Sequence, residues 1–216
     1  MNEAAPPSQV HVVDHPLIGQ MLTVVRDRHT PPSVFRENVR QIGYMLGYEA
    51  TRDLAVRSVK VQTPLETTDG VTLATPVTIV PILRAGLGMA DGVLRLIPQA
   101  HMGHLGMFRD EEKLRPVSYY ESVPSEATRG PVLLIDPMLA TAGSATAAVA
   151  RLRELGCKDI RFICLIAAPE GIANFTAKFP DVPVYAAVID RQLNEVGYIL
   201  PGLGDAGDRI FGTLNE

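Results

Sequence analysis

Five short runs of large apolar residues set the hydrophobic pattern of the chain. Such short runs suit strands that are buried on both faces of a parallel sheet, and the loops after them favour strands over buried helices. Helical spacing of apolar positions follows several runs, as at Ala145, Val149 and Leu152. Strands that alternate with helices predict an α/β fold with a central, mainly parallel sheet flanked by helices. The predicted strands are residues 77–83, 101–108, 132–135, 160–167 and 184–189.

Two amphipathic helices are predicted before the first complete strand–helix unit. A short strand at residues 10–13 precedes a helix start at Asp14 and Pro16, because proline is favoured in a first helical turn. Residues 10–57 are therefore expected to form a helical layer that packs on the sheet or on another subunit. The apolar stripes are Leu17, Met21, Val24 and Val25 in the first helix, and Phe35, Val39, Ile42 and Leu46 in the second.

A projecting hairpin is predicted between this layer and the sheet. Residues 59–63 alternate apolar and polar positions, which is typical of a half-exposed strand. Thr68-Asp69-Gly70 is a candidate turn, and residues 71–73 are expected to return antiparallel. An exposed ribbon of this kind suits a subunit contact.

Composition and charge exclude several classes of protein. With 216 residues, 46% hydrophobic and 20% charged, the chain is expected to form one domain over residues 1–216, with residues 1–9 frayed. The net charge of −4 argues against general attraction to nucleic acid or an anionic membrane. No apolar stretch reaches the roughly 18 residues that span a bilayer. Cys157 and Cys164 match no metal or redox spacing, so we expect reduced thiols in a cytoplasmic protein.

The first candidate for chemistry is the loop after the strand at residues 132–135. Asp136 ends the strand, small and hydroxylated residues follow, and a helix begins next. Ligands bind at the carboxyl ends of strands in open α/β sheets, and a helix N-terminus attracts phosphate. Thr141 and Ser144 can donate hydroxyl hydrogen bonds to a phosphate, while Asp136 can accept from sugar hydroxyls or approach a metal ion. The alternative is an ordinary turn before a capped helix.

Two arginines follow other predicted strands. Arg84 begins a glycine-rich turn and can hold a diphosphate, although an arginine in such a turn is more often simply solvated. Arg109 begins a long polar segment, residues 109–130, that lacks periodicity except at residues 117–120. It is expected to be a flexible lid, and the alternative is a plain solvent loop. His101 and His104 are interpreted as strand residues, because glycines oppose a helix and no third metal ligand is near.

The C-terminal region contains four glycines between residues 197 and 207. Gly202, Gly204 and Gly207 match G-x-G-x-x-G formally, but Pro201 precedes them and few residues follow, so we reject a dinucleotide-binding unit. The pattern favours a loop whose backbone lies against a flat ligand. A glycine-rich tail without a ligand is the alternative.

Three segments together resemble the uracil phosphoribosyltransferases, members of the type I phosphoribosyltransferase family. They are PILRAGLGM at residues 81–89, DPMLATAGS at 136–144 and GYILPGLGDAGDRIFG at 197–212. They occur in the family's order, and the resemblance covers most of the chain from residue 59 to the end. Most of the type I group has two adjacent acids where this chain has Asp136-Pro137. Ala142 replaces a frequent glycine, a small departure unless its φ must be positive.

The resemblance implies the type I phosphoribosyltransferase fold and transfer of ribosyl-5-phosphate from phosphoribosyl diphosphate (PRPP) to N1 of uracil, giving UMP and diphosphate. It implies Mg²⁺ held mainly by PRPP and water, with no protein metal ligand assigned, GTP as a candidate effector, and a homodimer or higher homo-oligomer. No nucleic acid or membrane partner is expected. The rival interpretations are another nucleobase transferase of this fold and a non-enzymatic RNA-binding regulator.

The resemblance also assigns residues to roles. Asp136, Arg84 and Arg109 are the catalytic candidates, and no side chain stands out as a general base. A cis non-proline peptide is expected near Arg84-Ala85. Uracil contacts are expected at Ile199, Gly204, Asp205 and Ala206. PRPP contacts are expected at Arg84, Arg109, Asp136, Pro137, Met138, Leu139, Ala140, Thr141, Ala142, Gly143, Ser144 and Asp205.

Overall fold

A mainly parallel sheet lies at the centre of the protein. The structure, a computed structural model, describes residues 9–109 and 116–213. Within these ranges the sheet has nine strands, in the order β1-β11-β10-β8-β4-β6-β7, with short β5 beside β4 and β9 beside β10. Its strands are β1 (Val10–Val12), β4 (Thr78–Leu83), β5 (His101–Met102), β6 (His104–Arg109), β7 (Pro116–Ser122), β8 (Val132–Ile135), β9 (Met138–Leu139), β10 (Ile160–Ala167) and β11 (Val184–Ile189).

Six α-helices in the described residues cover the two faces of this sheet. Residues from α1, α2, α3 and α6 share one buried cluster, and residues from α4 and α5 share the other. Along β8, Leu133 and Ile135 face the first cluster while Val132 and Leu134 face the second, so the strand is buried on both faces as predicted. The helices are α1 (Pro16–Arg26), α2 (Pro32–Ala50), α3 (Leu87–Leu96), α4 (Gly143–Glu154), α5 (Pro169–Lys178) and α6 (Ala206–Phe211).

The predicted N-terminal layer consists of β1, α1 and α2. All four residues of the predicted α2 stripe are buried. In α1 the stripe is partly wrong, because Leu17 is 55% exposed and Ile18 is buried instead. The cap of α1 is His15 rather than Asp14, since its Nδ1 accepts the backbone N–H of Leu17 at 3.1 Å.

The projecting hairpin is confirmed, with its turn in a different place. β2 (Val56–Gln62) pairs antiparallel with β3 (Thr67–Leu73), and Gly70 lies inside the ladder opposite Val59. The predicted turn at residues 68–70 is therefore wrong. The chain reverses at residues 63–66, where the Thr63 hydroxyl accepts the backbone N–H groups of Leu65 and Glu66.

The segment predicted as a flexible loop, residues 109–130, contains regular secondary structure where it is described. β7 pairs antiparallel with β6, and Ser125–Thr128 forms a 3₁₀-helix. Residues 110–115 lie outside the described part. β7 was not predicted as a strand, because the periodicity of this segment covers residues 117–120 alone. It is an edge strand in which Tyr119 and Tyr120 are both about half exposed. In the described residues, no helix combines the length and apolar character needed to cross a membrane.

Candidate functional site

The site is organised by two neighbouring strands, β4 and β8. They pair in parallel, with Ile79 opposite Leu133 and Pro81 opposite Ile135, so both end at the same edge of the sheet. A side chain on Gly86 would come within 2.5 Å of the Ile135 carbonyl oxygen. The loop after β4, residues 84–86, therefore lies directly against the end of β8, and only glycine permits this approach.

Asp136 follows β8 at this edge. Its Oδ1 accepts a long hydrogen bond of 3.5 Å from the backbone N–H of Met138. Burial raises the pKa of the Asp136 carboxyl from 3.8 to about 7. The buried Cys164 thiol is close to it, and its pKa is raised by burial and, to a lesser extent, by the Asp136 charge. Asp136 is therefore partly protonated near neutral pH and can both donate and accept hydrogen bonds.

The loop between β8 and α4, residues 136–142, leads into the N-terminus of α4, a position that can bind an anion. β9 pairs with β10. The Pro137 and Leu139 carbonyls accept hydrogen bonds from backbone N–H groups of residues 165–168, at the end of β10. Ala142 has φ 69° and ψ 11°, which places it in the left-handed region at the start of α4. No side chain caps this twelve-residue helix, so the first-turn N–H groups at Gly143 and Ser144 are directed to the loop.

α5 supports the same loop from outside. A side chain on Gly171 would lie 2.2 Å from the Ala140 carbonyl oxygen, and Asn174 Nδ2 donates to the Thr141 carbonyl at 3.3 Å. Thr141 itself is exposed. Contact with α5 therefore fixes the backbone of the loop and leaves the Thr141 hydroxyl accessible.

Arg84 lies at the accessible side of the site. Its side chain is 58% exposed, and its guanidinium contacts Asp208 Oδ1 at 3.4 Å and lies 5.7 Å from the centre of the Phe211 ring. The peptide bond between Leu83 and Arg84 is cis, one bond before the predicted position. Arg109 ends β6, which lies next to β4, and its side chain falls outside the described residues.

The predicted base-binding segment adjoins the loop after β4. Asp205 caps α6 by accepting the backbone N–H of Asp208 at 2.9 Å, and Ala206 begins that helix. A side chain on Gly207 would lie 3.8 Å from the Ala85 methyl group. Gly204 has a φ of 79°. Ile199 is buried in β13 (Ile199–Leu200), which pairs with β12 (Gln192–Leu193).

The structure therefore brings together the loops that carry Arg84, Asp136 and Asp205. Gly86 connects the first to the second through Ile135, and Gly207 connects the first to the third through Ala85. These segments are far apart in sequence. The three loops therefore lie against one another at one edge of the sheet.

Comparison with known proteins decides the family. The model of the family described as uracil phosphoribosyltransferase matches residues 12–213. The chain belongs to the uracil phosphoribosyltransferase family. The family recognised from three motifs is thereby confirmed, and so is the expectation of a transferase.

Relatives in the family match nearly the whole chain. A uracil phosphoribosyltransferase from Acholeplasma laidlawii is 50% identical over 202 residues, covering 94% of this chain and 97% of that protein. Another from Salinibacter ruber is 52% identical over 204 residues, covering 94% and 97%. A solved structure of an Aquifex aeolicus protein has a TM-score of 0.91 and 34% identity, and the match covers 96% of this chain and all of that one.

A more distant likeness concerns the fold alone. The crystal structure of adenine phosphoribosyl transferase from Trypanosoma brucei has a TM-score of 0.59 at 13% identity, covering 91% of this chain and 88% of that one. The type I phosphoribosyltransferase fold predicted for this family member is confirmed by these neighbours and by the parallel sheet between helices.

Three charged residues that adjoin the site in this uracil phosphoribosyltransferase family member were not predicted from the sequence. The buried Asp190 forms an ion pair with the partly exposed Arg26, and Arg209 donates to several carbonyls. Asp190 follows the strand at residues 184–189 as Asp136 follows its own strand, and this shared position was a usable signal. Nothing in the local pattern around Arg26 points to a partner 164 positions away.

A protein-based metal site is absent from the described residues. They contain no group of three or more histidine, cysteine, aspartate or glutamate side chains that could hold a metal ion. Asp136 is the carboxylate at the end of β8, and it carries a raised pKa rather than the lowered one that adjacent positive charge produces.

Proposed function

We propose that the protein transfers the ribosyl-5-phosphate group of PRPP to N1 of uracil and releases UMP and diphosphate. One observation carries this proposal: the loops of the three family motifs meet at the carboxyl edge of β4 and β8. Each loop has the chemistry for one part of the reaction. Family membership supports the same reaction.

The 5-phosphate is held by residues 141–144. Backbone N–H groups at the start of α4 supply donors, and the helix dipole adds partial positive charge. The hydroxyl groups of Thr141 and Ser144 add two more donors. The neighbouring positions, Pro137 to Ala140, shape the loop through backbone contacts with β10 and α5.

Asp136 holds the ribose hydroxyls. A carboxylate accepts hydrogen bonds from two hydroxyl groups. Such donors offset the free-energy cost of burying its charge, and that cost is what raises its pKa. Asp205 lies toward the PRPP side of the C-terminal loop, as the family resemblance implies.

Arg84 and Arg109 neutralise the diphosphate leaving group. Arg84 is exposed and its contact with Asp208 is long, so an anion can displace that contact at little cost. Mg²⁺ bound with PRPP supplies Lewis-acid neutralisation of the same charge, and Asp136 and backbone carbonyls are the oxygens that this chain offers it. The roles of Arg84 and Arg109 do not depend on a protein metal ligand.

Uracil is recognised by backbone groups of the C-terminal loop at Ile199 and residues 204–206. Backbone N–H and C=O groups can match the O2, N3–H and O4 edge of uracil. Cytosine has the opposite pattern at position 4 and would leave buried groups unpaired, which costs orders of magnitude in discrimination.

The chemistry needs positioning more than proton transfer. In-line attack by N1 takes place as the bond to diphosphate loosens, and the arginines stabilise the charge that develops on the leaving group. No described side chain near the loops is required as a general base.

An assay with protein, Mg²⁺, PRPP and labelled uracil tests this function. We expect UMP to form, with cytosine and hypoxanthine as poor competitors. Preferential use of hypoxanthine would support another nucleobase transferase. Salt-sensitive RNA binding without UMP formation would support a regulator instead.

Assembly and regulation extend the proposal. The hairpin β2–β3 exposes apolar side chains, including Leu65 at 94% and Val71 at 69%, and they suit a homo-oligomer contact. GTP is proposed as an activator from the family resemblance, and adding GTP to the same assay tests it. The two buried free thiols suit the cytoplasmic location proposed from the sequence.

A further inference from the structure

Charged side chains hold the glycine-rich segment at residues 199–206, which we call the base loop. The Gly202 N–H donates to Asp190 Oδ2 at 2.8 Å, and the Gly202 carbonyl accepts from Arg26 Nη1 at 2.8 Å. The Leu203 carbonyl accepts from Arg209 Nη1 at 2.8 Å. Successive peptide groups of the base loop are therefore fixed by hydrogen bonds to ionised partners, which are stronger than neutral ones.

Asp190 connects the base loop to the sheet. Its side chain is 3% exposed, and it pairs with Arg26 through both carboxylate oxygens, at 2.6 and 2.9 Å. Its backbone N–H donates to the Ala167 carbonyl at the end of β10 at 2.8 Å. Asp190 therefore fixes Gly202 relative to the carboxyl ends of β10 and β11.

Arg209 connects the base loop to the end of α1. It is buried, donates to the carbonyls of Val25 and Asp27, and lies 4.3 Å from the centre of the Phe35 ring. The last carbonyls of a helix have no partner within the helix, so this arginine satisfies groups that would otherwise need water. α1 therefore supports the base loop through Arg26 on one side and Arg209 on the other.

We propose that Asp190 and Arg26 are positioning residues for the base: their ion pair fixes the peptide groups of the base loop in the orientation that recognises uracil. This inference rests on the proposed function. Hydrogen bonds weaken steeply when they are misaligned, so recognition by backbone groups requires a fixed loop. Glycine residues at 202 and 204 leave the loop many conformations unless side chains from outside restrain it.

The test compares the wild-type protein with Asp190→Asn and Arg26→Gln, measuring KM for uracil and for PRPP separately. We expect the uracil KM to rise about tenfold or more, because a hydrogen bond to a charged group is lost. The PRPP KM stays within about twofold of wild type, since α5 and β10 hold the loop between β8 and α4, and Asp205 is held separately as the cap of α6.

The double variant shows whether the pair acts as one unit. If the two residues work only through each other, the double variant has nearly the same uracil KM as either single variant. Arg26→Lys keeps the charge but loses the two-pronged geometry, so it is expected to recover part of the uracil affinity that Arg26→Gln loses.

Arg161→Gln is the matched control. Arg161 is buried near the start of β10, donates to the Ala50 carbonyl at 2.7 Å and pairs with Asp53, so it also joins the sheet to a helix end. It lies near the amino end of β10, whereas the base loop is attached near the carboxyl ends of β10 and β11. We expect this variant to lose thermal stability and to keep the wild-type uracil KM.

Three results would overturn the inference. They are an unchanged uracil KM in the folded variants, an equal rise in both KM values, and a raised uracil KM in the Arg161→Gln control. A wild-type protein that forms no UMP contradicts the proposed function itself, and the inference with it. If Asp190→Asn does not fold, Arg26→Lys carries the same test, because the Arg26 side chain is 25% exposed.

Discussion

Asp136 is a residue at which folding and binding have opposite requirements. The folded protein keeps a proton on this carboxyl up to about pH 7, whereas the unfolded chain releases it near pH 3.8. The contribution of this group to the free energy of unfolding therefore falls as pH rises through that window and is constant above it. At neutral pH the carboxylate lowers stability, which is understandable if it serves a ligand.

We predict that Asp136→Asn raises stability and impairs turnover. The gain in unfolding free energy, roughly 1–3 kcal/mol after allowance for partial exposure, is largest above about pH 7 and disappears below about pH 4. The kcat/KM for PRPP falls roughly 10- to 100-fold, because a charged hydrogen-bond acceptor is lost. Thermal unfolding across pH and steady-state kinetics measure the two effects. Wild-type turnover would remove the sugar-binding role.

Ala142 is the second residue with opposing requirements. Its positive φ disfavours any side chain, whereas its methyl group is buried in the core. Glycine there would relieve about 1–2 kcal/mol of strain, but it would lose a buried methyl group and make the unfolded chain more flexible. We therefore predict that Ala142→Gly changes the unfolding free energy by less than about 1 kcal/mol. Ala142→Val should destabilise by about 2 kcal/mol or more, because a β-branched residue fits neither the backbone nor the buried site. Urea unfolding of both variants checks this, and equal stability would contradict it.

At the residue scale, the sequence was informative where chemistry and local geometry coincide. The position of Asp136 at the end of a buried strand could be predicted, because the apolar run at residues 132–135 ends directly before it. Strain at Ala142 was predicted for the case that its φ is positive, since the family often has glycine there. The Asp190–Arg26 pair could not be predicted, because its partners meet only after the sheet and α1 have packed together.

At the scale of elements, α5 holds the loop between β8 and α4 in place. Its Gly171 packs against Ala140, where an added methyl group would lie 2.2 Å from a carbonyl oxygen. We predict that Gly171→Ala displaces the loop, raises the PRPP KM severalfold and lowers unfolding free energy by roughly 1–3 kcal/mol. Kinetics and urea unfolding measure both.

Gly19→Ala in α1 is the control for this helix substitution, since a methyl group there meets nothing within 4 Å. It should stabilise the protein by roughly 0.5–1 kcal/mol, the usual advantage of alanine over glycine in a helix. An unchanged PRPP KM in Gly171→Ala would show that α5 does not set the geometry of the loop.

The elements that sequence predicted best are those with the strongest burial. β8 and β10 match their predicted bounds because every residue in each is apolar or enclosed on both faces. α6 was missed, since its six residues are too few to show a helical repeat and glycines precede it. The hairpin turn was misplaced because Gly70 attracted the prediction, whereas the Thr63 hydroxyl closes the turn.

At the scale of the whole molecule, the hairpin is the clearest candidate for association. We predict that replacing Leu65 and Val71 with lysine shifts the protein toward single chains of 23.4 kDa, because charge opposes burial of the hairpin in an interface. Thr68→Lys, an exposed polar position on the same hairpin, is the control. Light scattering measures the mass, and a double variant with wild-type mass would exclude this contact.

Convergence of distant motifs could be foreseen because it follows from topology. Loops after parallel strands share one edge of the sheet, so the order of motifs along the chain was enough to bring residues 84 and 136 together. The placement of the C-terminal loop depended on packing of α6 against α2 and on the arginine contacts. No periodic pattern records those contacts, and only the structure reveals them.

The contact of Arg209 with Val25 and Asp27 has a consequence for biosynthesis. The carbonyls at the end of α1 are bonded by an arginine that lies 184 and 182 positions later in the sequence, so α1 is synthesised long before this partner. The strands up to residue 189 can therefore pair before Arg209 is available to hold the segment at residues 199–206. We expect polypeptides that stop before residue 199 to keep the sheet and to lack any preference among bases.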